Sequence, residues 1–332
     1  MRSAFIGNKD TIERVYPLEI RQALALEAGL DLETVLSKED LLCHPERTAH
    51  TEFLFSTWGM PSFTEAEIAA CFPRTKALYY AAGSVQSFAR PFLRRGIRVF
   101  SAWAANAVPV AEYAAAQILL ANKGYFVTAR LCAADYEEAH RIFASFPGNY
   151  GCRVGILGAG MIGSLVIDYL RRNHLDILVF DPFLSDEKAA SMGVRKTSLE
   201  EIFSSCQTIS NHLANNDQTV HMLAGRLFSL MGDTVTFLNT GRGQQVVEPD
   251  LCEALRQRPL ATAVLDVTHP EPPQADHPFR TLPNVILTPH IAGSSGNEVH
   301  RMAVYMREEF LHTKSGLLPR WEVTEEMLLT MA

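Results

Sequence analysis

The chain has 332 residues, a formal net charge of −7 at pH 7, and a composition that is 47% hydrophobic and 20% charged. This length exceeds what one compact hydrophobic core usually serves, so two domains are expected. The net negative charge argues against binding to nucleic acid or to an anionic membrane surface. No segment predicts a signal peptide or a membrane span, and the six cysteines are scattered without a CxxC pair. A cytoplasmic protein with reduced thiols and no metal site is therefore expected.

The first hundred residues alternate apolar runs with helical patterns. Strands are predicted at residues 3–6, 52–56, 77–81 and 97–100, with helices at 18–30 and from Thr64, a plausible N-cap. This alternation predicts an α/β fold with a parallel sheet, which binds ligands at the carboxyl ends of its strands. Ordinary turns are the alternative interpretation of the loops there. Turns at two such ends contain the candidate substrate-binding residues Trp58, Gly59, Gly83, Ser84 and Val85.

A connecting helix is predicted over residues 106–126, with Pro109 in its first turn. The polar and aromatic stretch 135–150 is expected to be irregular or a bridging helix. Further strands are predicted beyond it, and each ends at polar or glycine residues: 208–213, 235–238, 262–267 and 285–287.

The second half of the chain is organised around residues 154–181, where two apolar runs flank a glycine motif and a helical pattern. The motif is Gly158-x-Gly160-x-x-Gly163, and Asp181 closes the second apolar run. The first glycine permits a sharp turn, the second lets backbone N–H groups approach a pyrophosphate, and the third lets helix and strand pack closely. The phosphates would lie at the helix N-terminus, and Asp181 would bond the ribose hydroxyls of NAD. Because its charge would repel the additional phosphate of NADP, NAD is the predicted cofactor.

Three later strand ends carry candidate catalytic residues. Arg242 lies between two glycines, and its guanidinium can bind a carboxylate through two hydrogen bonds. His290 lies between a proline and an apolar residue and is a natural proton donor near neutral pH. Glu271, between two prolines, would favour the charged imidazolium if it lay beside that histidine.

Each of these residues also has an ordinary interpretation. Arg242 could be a surface or salt-bridged arginine, and His290 could be a hydrogen-bonded core histidine. Glu271 could be a solvated loop acid, and Asp266 could simply end its strand. Two other histidines in the region are expected to face solvent: His269 and His277.

Several phrases resemble the D-isomer-specific 2-hydroxyacid dehydrogenase family. They are Asn106-x-x-Pro-Val-Ala-Glu112, GILGAGMIG, the His212-Leu213 turn, NTGRG, LDV followed by PEP, and DHPFRTLPNVILTPHIAG. The resemblance covers nearly the whole chain and is densest over residues 154–293. It implies two Rossmann-like or flavodoxin-like α/β domains with parallel sheets and a cleft between them. The substrate-binding domain would comprise residues 1–103 with 294–332, and the NAD-binding Rossmann domain would comprise residues 104–293.

The resemblance also implies a role for each matching residue. Arg242 would bind the substrate carboxylate and carbonyl, His290 would donate and accept the proton, and Glu271 would be its partner. Asp266 would hold the nicotinamide carboxamide, while backbone N–H groups of residues 83–85 would hold the carboxylate. The implied cofactor-binding residues are Val110, Gly158, Gly160, Met161, Ile162, Gly163, Asp181, His212, Leu213, Thr219, Thr240, Gly241, Asp266 and Gly293.

The chain departs from the family pattern at several positions. Residues 214–216 read Ala-Asn-Asn where relatives usually show Pro and Leu, and Gly241 replaces a usual Ala or Ser. Glu271 stands where the formate-oxidising branch carries glutamine, which argues against formate. The loop 57–60 has no Arg or Lys, unlike members that bind a phosphorylated or second-carboxylate substrate. This absence favours a neutral or apolar substrate side chain.

The predicted function is an NAD-dependent oxidoreductase that interconverts a 2-keto acid and a D-2-hydroxy acid. One alternative is a non-catalytic NAD(H)-sensing protein, because the family includes co-repressors that keep the same fold and catalytic pair. Another is oxidation of an unusual small anion on the same scaffold. A homodimer is expected from the resemblance, and no nucleic-acid or membrane partner is expected. Apolar residues of the C-terminal tail 313–332 predict packing onto a domain or a second subunit: Leu317, Leu318, Trp321, Met327 and Leu328.

Overall fold

The computed structural model describes residues 3–329 of the protein. The chain divides into two compact units, one made of residues 1–106 with 294–332 and the other of residues 107–293. Each unit combines helices with its own largely parallel sheet, which confirms the predicted α/β class with two parallel sheets. Substrate binding by the first unit stays a prediction.

The strands of both units are short, as is usual for parallel sheets with covering helices. They are β1 (Ser3–Ile6), β2 (Leu30–Leu36), β3 (Phe53–Ser56), β4 (Ala77–Tyr80), β5 (Arg98–Ser101), β6 (Arg153–Leu157), β7 (Asp176–Phe180), β8 (Arg195–Lys196), β9 (Thr208–Asn211), β10 (Thr236–Asn239), β11 (Thr262–Leu265), β12 (Val285–Leu287) and β13 (Glu322–Val323).

The helices alternate with these strands along most of the chain. They are α1 (Lys9–Val15), α2 (Leu18–Ala28), α3 (Lys38–Cys43), α4 (Glu65–Cys71), α5 (Ala89–Arg94), α6 (Trp103–Asn122), α7 (Tyr125–Cys132), α8 (Tyr136–Phe143), α9 (Met161–Leu170), α10 (Asp186–Met192), α11 (Leu199–Ser205), α12 (Gly225–Phe228), α13 (Glu248–Gln257) and α14 (Val299–Lys314). Within residues 3–329, none of them combines the length with the apolar composition that a bilayer span needs.

The two sheets differ at one edge. The sheet of the first unit has the order β13-β5-β4-β3-β1-β2, and β13 pairs antiparallel with β5. The sheet of the second unit has the order β12-β11-β10-β9-β6-β7-β8, and its pairings are parallel. In this order the chain reverses direction across the sheet between β6 and β9, which is the kind of switch point where α/β folds bind ligands.

Local sequence explains several helix boundaries. Thr64 caps α4, because its hydroxyl accepts a hydrogen bond from Glu67 N at 3.2 Å and Glu67 Oε2 accepts one from Thr64 N at 2.7 Å. This capping box confirms the predicted N-cap. The end of α2 lies at Gly29, whose φ of 65° is favoured by glycine because it lacks a Cβ atom.

Two features of the first unit differ from the prediction. Strand β2 follows Gly29 directly and was missed, because only its end residues Leu30 and Leu36 are buried and the alternation between them is weak. The predicted start of the connecting helix is wrong, since α6 begins at Trp103 and Pro109 lies inside it. The proline removes one backbone N–H bond, and the alanine-rich sequence around it offsets this loss by its high helix propensity.

The C-terminal segment belongs to the core of the first unit. Phe310 of α14 packs edge-on against Phe55 and Tyr79, with ring centroids 5.6 Å away in both cases. In the tail, Trp321 packs against the same core and Leu328 is buried. Two other apolar residues of the tail are exposed, and their packing onto a second subunit stays a prediction: Leu317 and Leu318.

The loops that carry the candidate residues of the second unit leave its sheet at one level. The last residues of six strands form a continuous row of register partners, so their loops share one edge. In spatial order these partners are Leu287, Leu265, Asn239, Asn211, Leu157 and Phe180.

Candidate active site

The loop after β6 and the first turn of α9 carry the three motif glycines, and each glycine has different surroundings. Gly158 has a φ of 87°, and a Cβ atom there would meet the His212 carbonyl oxygen at 2.8 Å. A Cβ atom on Gly163 would meet the Gly158 carbonyl oxygen at 2.0 Å, so this glycine lets α9 pack closely on the loop. A Cβ atom on Gly160 would have no neighbouring atom within 4 Å. The second glycine therefore borders open space at the N-terminus of α9, which suits a pyrophosphate.

Asp181 follows β7 and turns back toward the glycine loop. Its Oδ2 atom accepts a hydrogen bond from Ala159 N at 2.8 Å, and its Oδ1 atom accepts one from Phe183 N at 2.8 Å. Because a carboxylate oxygen can accept two bonds, both oxygens keep capacity for a ribose hydroxyl. Met161 and Ile162, the first two residues of α9, lie beside this loop, and Met161 is 43% exposed.

The turn after β9 places His212 and Leu213 against the glycine loop. Burial of the imidazole lowers the pKa of His212 to about 4, so the ring is neutral at physiological pH. His212 Nδ1 lies 3.4 Å from the hydroxyl of Thr240, which follows β10. Thr219 closes the turn by donating to the Ala214 carbonyl at 2.7 Å.

The loop after β10 holds Arg242 without an ion-pair partner. Its Nη1 atom donates to the Gly241 carbonyl at 2.8 Å, and no carboxylate within residues 3–329 forms a salt bridge with it. Burial lowers the pKa of Arg242, and the negative charge of Glu271 opposes that shift. A Cβ atom on Gly243 would meet the carbonyl carbon of Thr268 at 2.0 Å. This glycine therefore allows its loop to pack closely against the backbone at Thr268.

His290 and Glu271 form a hydrogen-bonded pair. His290 Nδ1 lies 2.6 Å from Glu271 Oε1, and the two side chains are 47% and 41% exposed. His290 has a φ of 55°, which is rare for a residue with a Cβ atom, and its backbone N–H donates to the Asp266 carbonyl at 3.1 Å. The pair lines a cavity of about 460 Å³ together with Arg280 and Thr288.

Asp266 lies beneath the His290 loop. Its carboxylate is buried and accepts three hydrogen bonds, from Thr288 Oγ1 at 2.6 Å, Ile291 N at 2.8 Å and Ala292 N at 2.8 Å. Asp266 therefore does more than end its strand, because it holds the residues on both sides of His290. Its predicted contact with a nicotinamide carboxamide stays a prediction.

Three further residues of the second unit are predicted to bind the cofactor, and their roles stay predictions. Val110 is buried in α6, and Gly293 is the last residue of the unit. Gly241 donates its N–H to Asn239 Oδ1 at 3.0 Å, beside Arg242.

In the first unit, the turn after β4 presents unused backbone N–H groups. Within residues 3–329, the N–H groups of Gly83, Ser84 and Val85 donate no hydrogen bond. The hydroxyl of Ser101 lies 2.9 Å from the Ala82 carbonyl and 2.5 Å from the Gly83 carbonyl, so it restrains this turn. Three consecutive free N–H groups suit an anion such as a carboxylate. The side chain of Val85 is itself buried in the core.

The loop after β3 contains Trp58 and Gly59, the latter with a φ of 83°. The guanidinium of Arg14, in α1, lies over the Trp58 ring at 5.4 Å from its centroid. A cation therefore reaches this loop from a different element, which the loop's own composition did not indicate. The neutral substrate side chain was expected because residues 57–60 include no Arg or Lys. That expectation stays a prediction, although Arg14 brings a cation to the loop from α1.

Some residues of this region were misassigned or missed. His277 does not face solvent as predicted, since its Nε2 atom lies 3.0 Å from Glu248 Oε2 and its side chain is only 18% exposed. Glu248 also accepts a hydrogen bond from His269 N at 2.8 Å and so supports the segment that leads to Glu271. Burial raises the pKa of Glu248, and the bond from His269 N opposes that shift. No sequence pattern marked Glu248, which lies in the first turn of α13, where acidic residues are common.

Comparison with known proteins gives the family of the chain. Residues 126–292, half of the chain, match the family model described as "D-isomer specific 2-hydroxyacid dehydrogenase, NAD binding domain". The chain is 31% identical over 228 residues to a D-3-phosphoglycerate dehydrogenase of Archaeoglobus fulgidus, an alignment that covers 68% of this chain and 42% of that protein. It is 32% identical over 179 residues to a glyoxylate reductase of Korarchaeum cryptofilum, which covers 54% of each. The chain thus spans about half the length of the relatives it matches.

A solved structure supports the fold over nearly the whole length. A phosphoglycerate oxidoreductase from Rhizobium etli superposes with a TM-score of 0.80 at 21% identity and covers 98% of this chain and 99% of that one. At this identity the likeness shows the fold alone. The matched domain is the family's NAD-binding domain, so NAD(H) is the cofactor, as predicted. The chain belongs to the D-isomer specific 2-hydroxyacid dehydrogenase family.

Proposed function

We propose that the protein is an NAD-dependent oxidoreductase that interconverts a 2-keto acid and a D-2-hydroxy acid. The observation that carries this proposal is a hydrogen-bonded histidine and glutamate near a partly buried arginine that forms no salt bridge within residues 3–329. An acid–base pair beside an unpaired cation suits a substrate that carries a carboxylate next to a carbonyl.

The residues around the glycine loop fit the dinucleotide. Open space at Gly160 and the start of α9 would receive the pyrophosphate, and Asp181 would accept hydrogen bonds from the ribose hydroxyls. The same carboxylate would repel the phosphate of NADP, so we propose NAD over NADP. When bound, NADH supplies the hydride that reduces the carbonyl carbon.

Arg242 would bind the substrate carboxylate and orient the carbonyl. A guanidinium binds a carboxylate through two parallel hydrogen bonds, and burial strengthens such a pair because less water competes. The single bond of Arg242 to the Gly241 carbonyl leaves other N–H groups for this purpose.

His290 would protonate the carbonyl oxygen during reduction and remove the same proton during oxidation. Its Nδ1 atom faces Glu271, so the Nε2 atom is the one left for the substrate oxygen. The Glu271 carboxylate would favour the charged imidazolium, which is the form that donates the proton.

The test is NADH oxidation, followed by absorbance, against a panel of 2-keto acids with NADPH as the control cofactor. The panel runs from glyoxylate, pyruvate and hydroxypyruvate to branched-chain and aromatic keto acids. We expect turnover with NADH for one class and much slower turnover with NADPH. Tight NADH binding without turnover of any panel member would contradict the proposal and favour a non-catalytic NAD(H) sensor.

A further inference from the structure

Three fully buried carboxamides form a connected cluster, which we call the amide triad, at the carboxyl ends of β9 and β10. Its members are Asn211, Asn239 and Gln245, each at most 1% exposed. Asn211 Nδ2 donates to Asn239 Oδ1 at 2.9 Å and to Gln245 Oε1 at 2.7 Å. Gln245 Nε2 donates to the carbonyls of Leu213 and Ala214 at 2.9 and 3.0 Å.

The amide triad holds the main chain at Arg242. Gln245 Oε1 accepts a hydrogen bond from Arg242 N at 3.2 Å, and Asn239 Nδ2 donates to the Arg242 carbonyl at 3.3 Å. Asn239 Oδ1 also accepts from Gly241 N at 3.0 Å, and the Gly241 carbonyl accepts from Arg242 Nη1 at 2.8 Å. Both ends of the Arg242 residue and one end of its guanidinium are therefore held by the triad or by a residue that the triad holds.

The amide triad also explains why residue 241 is glycine. A Cβ atom on Gly241 would meet Gln245 Oε1 at 2.7 Å and Asn211 Nδ2 at 3.0 Å. The triad thus occupies the space that a side chain at this position would need. The buried amides can pack here only because residue 241 has no side chain. Gly241 and the triad therefore form one packed unit around Arg242.

Burying three amides costs desolvation free energy, so their presence here calls for a role, and we assign them the role of fixing the conformation of the Arg242 loop. An apolar cluster would avoid the desolvation of three polar groups, whereas hydrogen bonds in a dry environment are directional and restrict the loop to one conformation. The amides are uncharged, so they impose this geometry without neutralising the nearby guanidinium.

We propose that Asn211, Asn239 and Gln245 are positioning residues, which set the orientation of Arg242 toward the substrate carboxylate. This inference rests on the proposed function. The triad acts through Arg242 and does not itself touch the substrate. Its loss should therefore weaken keto-acid use far more than NADH binding.

The decisive variant is Gln245→Met, which keeps the length of the side chain and removes its amide. Gln244→Met is the matched control, because Gln244 Oε1 accepts a hydrogen bond from Asn215 Nδ2 at 3.1 Å, and within residues 3–329 its side chain forms no hydrogen bond with the triad or with Arg242. For the keto acid that the wild type reduces fastest, we expect Gln245→Met to lower kcat/KM by about 10²-fold, with a raised KM. The NADH Kd, measured by fluorescence titration, should rise by less than the KM for the keto acid, although the Gln245 amide also holds the Leu213 and Ala214 carbonyls. Gln244→Met should resemble the wild type in both.

Other results would overturn the inference. Equal kinetics in the two methionine variants would do so, and so would a lower kcat with an unchanged KM, which indicates only a smaller folded fraction. If Gln245→Met does not fold, Gly241→Ala replaces it, because the added methyl group presses on the triad while every amide remains. A folded Gly241→Ala protein with a wild-type KM would refute the inference. A wild type that turns over no keto acid would refute the proposed function and this inference with it.

Discussion

The loops that carry Arg242 and His290 leave the same edge of one sheet, yet they are held by groups of different chemistry. Neutral amides hold the Arg242 loop. A single buried carboxylate, Asp266, holds the His290 loop through three accepted hydrogen bonds. One loop is held by groups that both donate and accept, and the other by a group that only accepts.

The difference follows from what each loop offers. The Arg242 loop presents N–H groups and a carbonyl to the interior, and an amide can satisfy both kinds of group, whereas an ionised carboxylate could satisfy only the N–H groups. The His290 loop presents two N–H groups and a hydroxyl, so an ionised carboxylate can accept all three bonds. The comparison teaches that the hydrogen-bonding groups of the backbone determine which side chain can hold a catalytic loop.

Removal of the His290 side chain should have the largest effect on catalysis. His290→Ala should lower kcat for keto-acid reduction by about 10²–10⁴-fold, the usual contribution of a positioned general acid. Steady-state kinetics with NADH measures this loss, and NADH binding serves as the control for folding. An unchanged kcat would contradict the role given to His290.

Asp266→Asn should displace the His290 loop and leave the conformation of the Arg242 loop unchanged. An asparagine presents an NH₂ group where the loop offers N–H donors, so one of the three bonds becomes a donor–donor contact. We expect kcat to fall by about 10²-fold through misplacement of His290. A variant that binds NADH normally and keeps wild-type kcat would show that Asp266 does not position the loop.

Glu271→Gln should lower the rate of keto-acid reduction by less than the two changes above. Glutamine keeps a hydrogen-bonding group beside His290 Nδ1 but removes the negative charge that lies 2.6 Å from this nitrogen. We expect kcat/KM to fall by roughly tenfold, which corresponds to about 1.4 kcal/mol of transition-state stabilisation. Steady-state kinetics with NADH measures this loss, and an unchanged kcat/KM would exclude the assigned partnership.

The smallest expected effect concerns stability and not catalysis. Burial lowers the pKa of His212 from 6.5 to about 4, so between these values the unfolded chain binds a proton that the folded chain does not. The contribution of the neutral His212 to the free energy of unfolding is therefore fully present above pH 6.5 and is lost as the pH falls toward 4. As the pH is lowered through this window, the melting temperature of His212→Gln should fall by a few degrees less than that of the wild type. Replacement of the exposed His50 by Gln is the control, and an identical pH dependence of all three proteins would refute the assignment.

Much of the fold and the candidate site could be predicted because short stretches carry them. The glycine motif, the strand before it and Asp181 lie within thirty residues, so local spacing reveals their geometry. The strand ends that precede Arg242, Asp266 and His290 are apolar runs followed by polar residues, which predicts loops at a carboxyl edge.

Other features had no local signal. Strand β2 has weak alternation, and β13 has two residues whose pairing with β5 depends on the return of the chain from α14. The partner of His277 is Glu248, which lies 29 residues earlier in a helix and shows no pattern that points to a loop. In the same way, Arg14 reaches the Trp58 loop from α1.

The sequence alone determined the class of the chain, the dinucleotide loop and the identity of the candidate catalytic residues, because each depends on residue types at short spacing. Only the tertiary structure decided how those residues are held. Asn211 and Gln245 come together with Asn239 from separate strands and loops, and Asp266 lies under a loop 22 to 26 residues later. Hydrogen bonds between distant segments depend on sheet register and burial, and these are properties of the folded chain and not of any one stretch.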